Sequence, residues 1–210
     1  MFKYVVTLII SLYLIGCGGS QIVESKIYDN NNEENTQNME AQNASHRIPP
    51  ISDSDKQEFL DAINSARADT QDCGEHGIFP PAPALTWNDE LYKAAYEHTR
   101  DMALSRTVEH DGTNSQNDWT SKELNLGRGS HFYERIENNG YKEYKTIEEN
   151  VAGGTYFDNP QDVVQAWINS PGHCANLMNK DVTEVGMAHV QADTKYTHYW
   201  SQEFGARHQK

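Results

Sequence analysis

Residues 167–178 read WINSPGHCANLM, a stretch that closes one predicted element of the chain. A helix that opens on the Asn-Pro pair at residues 159–160 should run through Trp167 and stop before Pro171, because proline disfavours helical backbone at the residue preceding it. Ser170 is then a hydroxyl at the carboxyl end of that helix. The stretch therefore predicts a helix end, followed by a histidine and a cysteine that lie outside the helix.

Upstream of this stretch the sequence predicts three more helices. The first runs from residue 52 to about residue 70 and begins with a serine and an aspartate in capping-box-like spacing. The second covers residues 86–106 and carries an apolar stripe along one face. A third, short helix is expected over residues 130–139, with Gly140 well placed to end it, after a long polar loop at residues 111–129.

Three segments have the composition of strands, namely Thr146–Ala152, Thr183–Gln191 and Thr197–Phe204. The last two are separated by only residues 192–195, which is the length of a hairpin loop. Helices that alternate with a few strands, the last two of them antiparallel, predict a layered α+β domain.

The composition excludes two broad classes of protein. Apolar residues make up 37% of the 210 residues, which is low for a uniformly packed globule, whereas aromatic residues at 10% argue against a wholly disordered chain. A polar tail attached to an ordinary domain explains both values. The chain has 17 Lys and Arg against 31 Asp and Glu, a formal net charge of -14, so phosphate backbones would repel it and nucleic acid is excluded as a partner.

The first 16 residues, MFKYVVTLIISLYLIG, have one early lysine and an apolar run shorter than the roughly 18 residues of a membrane span. The run ends in Leu-Ile-Gly-Cys at residues 14–17, which resembles a bacterial lipobox, a signal whose cysteine is acylated and becomes the first mature residue. A plain signal peptide with a chance cysteine is the alternative. We expect residues 1–16 to be a lipoprotein signal peptide and Cys17 to carry the lipid anchor that attaches the chain to a membrane.

Residues 17–45 are rich in Asn, Gln, Glu and Ser and are expected to form a disordered polar tether. The folded domain is then expected over residues 46–210. Lipidation of Cys17 would leave Cys73 and Cys174 as an even pair in an oxidising compartment, so we expect a disulfide between them. Gly at the position after Cys17 favours an outer-membrane or cell-surface location in the envelope, outside the cytoplasm.

Four blocks of sequence resemble the CAP superfamily, also described as SCP-like or as the cysteine-rich secretory, antigen 5 and PR-1 proteins. The blocks stand in the family order and span about Ser52 to Gly205, and Glu148 replaces a Gly that is usual in the second block. The resemblance implies a three-layer α-β-α sandwich with a small, mostly antiparallel sheet. The blocks are Leu85–Leu91 with Ala94–Ala95, Glu148–Ala152, Trp167–Met178, and Val185–Ala188 with Tyr199–Gly205.

The resemblance also implies a cleft lined by two histidines and two acidic residues. His110, Glu149 and His173 match three of these positions, whereas the second acidic position is Ser170 in this chain. Neutral imidazoles suit Zn²⁺ or another divalent ion, and Glu149 would ligate the ion or orient a ring. The alternative is a set of hydrogen-bonded cleft residues that fix a loop to the sheet and have only incidental affinity for metal. The resemblance implies no required cofactor and no firm catalytic residue. The candidates for a catalytic role are again His110, Glu149 and His173.

Three other histidines are weaker candidates. His98 lies on the apolar stripe of the second helix and is expected to be a core histidine. His189 and His198 alternate along strands and are expected to face solvent or a neighbouring side chain.

Three functions remain open from the sequence. The first is a non-enzymatic, surface-displayed lipoprotein that binds a small hydrophobic ligand, such as a lipid or sterol, or a protein partner. The second is a metal-dependent, peptidase-like hydrolase that uses His110, Glu149 and His173. The third is a structural protein of the envelope. A fold cannot choose among these, because function resides in the site.

Overall fold

A computed structural model of the chain describes residues 48–208. The predicted signal peptide, the predicted lipidation site Cys17 and the predicted tether at residues 17–45 lie outside the described residues. None of the helices between residues 48 and 208 has the length and apolar character needed to cross a membrane. The elements are α1 (Asp53–Arg67), β1 (Gln71–Asp72), β2 (Ile78–Phe79), β3 (Thr86–Trp87), α2 (Asp89–Ser105), α3 (Trp119–Glu123), α4 (Phe132–Asn138), β4 (Tyr144–Gly154), α5 (Pro160–Ile168), α6 (Pro171–Met178), β5 (Glu184–Gln191) and β6 (His198–Arg207).

A sheet of four strands in the order β3-β5-β6-β4 forms the middle layer. β6 pairs antiparallel with both β5 and β4, and β3 pairs in parallel with β5. In this register Glu149 of β4 lies directly opposite Glu203 of β6. The predicted hairpin of the last two strands is therefore the centre of the sheet, and the pairing of β6 with β4 sets two glutamates side by side.

Helices cover both faces of this sheet, because successive side chains of each strand point to opposite faces. On one face Val185, Met187 and Phe204 pack against residues of α1, α5 and α6, among them Trp167 and Leu177. The other face carries α2 and α4, which contribute a second set of buried side chains. The buried residues of this second face are Leu91, Ala94, Ala95, Met102, Ile136 and Ala188. The fold is therefore the α-β-α sandwich that the resemblance implied.

The helix α6 was not predicted. Pro171 was expected to end the preceding helix, but it occupies the first turn of a new one, where its missing N–H costs nothing and its fixed φ suits the helix. Ser170 does follow the C-cap residue of α5, as expected, and its N–H donates to the Trp167 carbonyl, but Ser170 is at the same time the N-cap residue of α6. His173 and the cysteine that follows it are therefore held on a helix.

Two other expectations about boundaries also need correction. The second helix begins at Asp89 and not at residue 86, because the Asn88 side chain caps it by accepting hydrogen bonds from the N–H groups of Glu90 and Leu91 at 2.8 and 3.1 Å. The residues Thr86 and Trp87 join the sheet as β3. The polar loop at residues 111–129 contains the short helix α3, which is capped by Asp118.

Cys73 and Cys174 form a disulfide, with their Cα atoms 5.4 Å apart. The bond ties a short 3₁₀ turn at Gly74–His76 to the middle of α6. Both cysteines are buried in the same apolar cluster as Trp167. The helix that carries His173 is thus fixed covalently to the first part of the domain.

Candidate functional site

His110 follows α2 in an exposed loop and meets the sheet through one hydrogen bond. Its Nδ1 lies 2.8 Å from Oε1 of Glu149, on strand β4. The His110 side chain is 54% exposed, whereas the Glu149 side chain is 1% exposed. The hydrogen bond with Glu149 raises the pKa of His110 above its ordinary value, against a smaller opposing effect of burial. A surface imidazole is thus oriented by a buried carboxylate.

Glu149 is held as an anion by its surroundings. Burial by itself would raise its pKa, but the charge of Arg135, the nearby His98 and the hydrogen bond with His110 outweigh that effect and keep the pKa far below its usual range. Arg135 Nη2 donates to Glu149 Oε2 at 2.7 Å, and His98 Nε2 lies 3.8 Å from the same oxygen. Both carboxylate oxygens are therefore already engaged by protein groups.

Glu203 is the neighbour of Glu149 across the strands and is fully buried. Burial and the charge of Glu149 raise the pKa of Glu203 well above its ordinary value. Ser201 Oγ donates to Glu203 Oε1 at 3.3 Å, and Glu203 Oε2 has no hydrogen-bond partner among the described residues. Two adjacent buried carboxyl groups do not readily ionise together, so of this pair Glu203 is the one that retains a proton.

His173 is the third predicted residue, and it lies in the first turn of α6. Its ring centroid is 6.3 Å from that of His110, so the helix brings the two imidazoles to the same place. Burial, together with the nearby His110, lowers the pKa of His173. Asn150 and Asn176 fix the helix to β4: Asn150 Nδ2 donates to the His173 carbonyl at 3.1 Å, and Asn176 Nδ2 donates to the Glu149 carbonyl at 3.1 Å.

A cleft of about 490 Å³ opens beside His110. Its walls include Phe132, Tyr133 and Ile147, and Tyr133 is 39% exposed. His131 lies at its edge, where Nδ1 is 2.8 Å from Asp111 Oδ1. The cleft therefore combines imidazole groups with an apolar wall.

The described residues meet the requirements of a metal site only in part. Within residues 48–208 no group of three or more His, Cys, Asp or Glu side chains is arranged to hold an ion. Two imidazoles are available, because the hydrogen bond of His110 uses Nδ1 and leaves Nε2 as a donor atom. A metal lies about 3 Å from the centre of each ring that ligates it, so two ligating rings are at most about 6 Å apart. The observed 6.3 Å is at that limit, and the donors fit a two-histidine site after a small shift.

The same geometry limits catalysis. A general base must accept a proton near neutral pH. Glu149 is fully hydrogen-bonded and strongly acidic, so it cannot easily do so. Ser170, at the position of the second acidic residue in the resembled family, is the N-cap of α6 and supplies no carboxylate.

Sequence reasoning missed Arg135, Glu203 and the contact of His98 with Glu149. His98 is buried as expected, and its Nε2 lies 2.8 Å from the Glu109 carbonyl oxygen, but its Nδ1 has no partner among the described residues. Burial and the charge of Arg135 lower the pKa of His98 to about 4, so the ring is neutral. A charged residue at position 135 on the inward side of a predicted helix was the available signal. His189 and His198 face each other, with Nε2 and Nδ1 3.0 Å apart.

Comparisons with known proteins agree on one family. The sequence model of the cysteine-rich secretory protein family, CAP, matches residues 60–204. The uncharacterized protein YkwD of Bacillus subtilis is 39% identical over 61 residues, which are 29% of this chain and 21% of that protein. The uncharacterized membrane protein YlbC of the same organism is 29% identical over 146 residues, 70% of this chain and 34% of that protein. The chain thus spans only a fifth to a third of these relatives.

Two solved structures share the fold. An outer surface protein of Borrelia burgdorferi is 21% identical with a TM-score of 0.54, over 76% of this chain and 97% of that one. An extracellular protein of Bacillus anthracis that contains an SCP domain is 20% identical with a TM-score of 0.52, over 77% of this chain and 45% of that one.

Proposed function

This chain belongs to the cysteine-rich secretory protein family, and on that premise we propose that it is a lipid-anchored binding protein of the cell envelope rather than an enzyme. Its cleft beside His110 binds a divalent ion weakly and accepts a small hydrophobic ligand or an apolar segment of a protein partner. The location outside the cytoplasm is supported by the lipobox-like residues 14–17 and by two structural relatives described as an outer surface protein and an extracellular protein.

The observation that carries the metal proposal is the hydrogen bond between His110 and Glu149. A histidine that ligates a metal generally donates its other ring N–H to a carboxylate, which sets the tautomer and makes the ligating nitrogen more basic. His110 has this arrangement at 2.8 Å, and His173 is the nearby second imidazole. When bound, a divalent ion would act there as a Lewis acid toward a ligand oxygen. The chain itself supplies only the two rings and the orienting carboxylate.

The site is expected to be weak. Structural zinc sites in proteins use four protein ligands, whereas the proposed site has two, the neighbouring rings of His110 and His173. The disulfide and the buried core already hold α6 and β4 in place without an ion. Metal removal should therefore leave the fold intact.

The apolar wall of the cleft supports a binding role. Phe132, Tyr133 and Ile147 present ring and aliphatic surface beside the imidazoles, in a cleft large enough for a small ligand. A hydrolase would need an accessible base in the same place, and Glu149 is unsuited to that role because Arg135 and His110 already bind both of its oxygens. These contacts favour binding over hydrolysis.

The test is a calorimetric titration of the full chain, in a non-ionic glycoside detergent, with Zn²⁺ at about pH 7.5 and about pH 5.5. His110→Ala and His173→Ala should each abolish measurable binding, and His76→Ala, an exposed histidine outside the cleft, is the matched control. Protonation competes with the metal for His110, whose pKa is raised, so affinity should fall toward the lower pH. Binding that survives both cleft substitutions, or that depends equally on His76, would place the ion elsewhere.

A further inference from the structure

A second cavity, of about 400 Å³, shares no lining residue with the cleft beside His110. It lies where the start of α1 meets α2 and where the loop before α5 meets the sheet. Its volume is within the range of small-molecule sites in proteins. The proposed function does not use it.

Aromatic rings form one wall of this cavity. Phe59, Tyr92, Tyr96 and Trp200 all line it. The Phe59 and Trp200 ring centroids are 5.9 Å apart, and those of Tyr92 and Tyr96 are 6.2 Å apart. Tyr92 is held in place because its hydroxyl donates to the carbonyl oxygen of Pro49 at 3.0 Å. The faces of such rings carry partial negative charge and attract cations.

Carboxylates form the rim. Asp55, Glu58 and Asp158 line the same cavity, come from two separate segments of the chain, and are exposed. Asp158 accepts a hydrogen bond from the Asn159 side chain at 3.0 Å, but none of the three forms an ion pair with another residue between 48 and 208. Their charges are therefore available to a ligand.

The described lining of this cavity carries no fixed positive charge. Its lining residues include neither Lys nor Arg. The one imidazole in the described lining, His189, stacks on Trp200 with a centroid distance of 4.1 Å. Burial and the neighbouring His198 lower the pKa of His189 to about 4, so this ring is neutral at physiological pH.

We propose that this cavity binds a small organic cation of the alkylammonium or quaternary ammonium class. The aromatic faces suit the methyl or methylene groups that surround such a charge, and the three carboxylates attract the charge itself. An inorganic ion is a poorer match, because Ca²⁺ requires six to eight oxygen ligands and four aromatic side chains occupy part of this wall. A zwitterion with a phosphate next to its ammonium group would be repelled by the rim.

The test uses saturation-transfer NMR on the methyl signal of choline, with the full chain in a glycoside detergent. Choline should receive saturation, and its neutral carbon isostere 3,3-dimethylbutan-1-ol should bind at least about tenfold more weakly, because it lacks the charge. Tyr96→Leu keeps an apolar side chain but removes one ring face, and it should weaken choline binding about tenfold. Tyr156→Leu, an exposed ring that lines neither this cavity nor the His110 cleft, is the matched control and should have no effect.

The rim is tested with the double variant Glu58→Gln and Asp158→Asn, for which Glu75→Gln, an exposed glutamate elsewhere, is the control. The double variant should weaken choline binding and reduce its dependence on salt, since the carboxylates act by a screened Coulomb attraction. Three outcomes would overturn the proposal: no saturation of choline, equal binding of the neutral isostere, or displacement of choline by equimolar Ca²⁺. None of these depends on Zn²⁺ binding at His110, so either proposal can fail alone.

Discussion

Four buried ionisable side chains, Glu149 included, lie close together at the sheet. Together they carry one positive and one negative charge, so the net charge of the group is zero. Arg135 is positive, Glu149 is negative, and His98 and Glu203 are neutral because burial and the adjacent charges shift their pKa values in opposite directions. A buried ion pair of this kind is costly unless each charge has its partner. The neutral pair allows one ion pair to remain buried without a net charge.

Glu203→Gln is expected to stabilise the protein near neutral pH. The folded-state pKa of Glu203 is raised, so its contribution to stability is greatest below its unfolded-state pKa and is lost as the pH rises through the folded-state value. A glutamine is neutral at every pH and avoids this loss. The unfolding free energy of the variant should exceed that of the parent at pH 7 to 8, and the difference should shrink toward about pH 4.

Glu149→Gln is the matched comparison, because it changes the carboxyl group directly opposite. It should destabilise the protein, by up to about 3–5 kcal/mol, since Arg135 loses the carboxylate that it contacts at 2.7 Å. Equal effects of the two substitutions in denaturant unfolding would contradict the assignment of the proton to Glu203.

At the scale of elements, α2 lies so close to β5 that one glycine separates their backbones. A methyl group added at Gly186 would fall on the backbone of Leu91 and Tyr92, and neither chain segment can move easily. Gly186→Ala should therefore force α2 away from the sheet. It should lower the free energy of unfolding by about 3 kcal/mol, the upper end of the range typical of overpacking. Thermal unfolding measures this loss.

Gly172→Ala is the control for Gly186→Ala. It lies in the first turn of α6, where an added methyl group would meet no atom within 4 Å. Alanine favours helical backbone over glycine, so this variant should be as stable as the parent or slightly more stable. No loss at Gly186 would show that α2 does not lie against β5 as described, and a large loss at Gly172 would show that its surroundings are not open as described.

The sequence predicted the layers of the fold better than its boundaries. Apolar periodicity located α1, α2 and the three long strands, because burial of one face imposes the period. It missed α6, since Pro171 can either end a helix or begin one, and the local sequence does not decide between these. The strand β3 has only two residues, too few to show an alternating pattern. It pairs in parallel with β5, which lies nearly 100 residues further along the chain.

The candidate site could be predicted only in part. The family resemblance located His110, Glu149 and His173, and the fold places the two rings and the carboxylate near one another. The adjacency of Glu149 and Glu203 depends on the register of β4 with β6, which local sequence patterns do not contain. Arg135 was recognisable only as a charge on the buried side of a short helix.

At the scale of the whole molecule, the net charge of -14 acts on both proposed sites. A strongly acidic protein raises the concentration of cations near its surface and increases their association rates. The effect extends only about 8 Å at physiological ionic strength, so the local groups of each site still determine its selectivity. Two sites for positively charged ligands are consistent with this charge, and a site for a free anion is not.

The proposed attachment of this acidic domain to a membrane rests on residues outside the described range. A lipobox cysteine carries two or more acyl chains, and two chains suffice for stable anchoring. Cys17→Ser removes the acylation point at the end of the apolar run. The variant should leave the membrane fraction or persist as an unprocessed precursor, and the mass of its N-terminal peptide distinguishes these results.

The double variant Cys73→Ser and Cys174→Ser is the control, because it removes the other two cysteines and should stay membrane-bound. Normal processing and membrane retention of Cys17→Ser would refute the lipid anchor and leave residues 1–16 as an ordinary signal peptide.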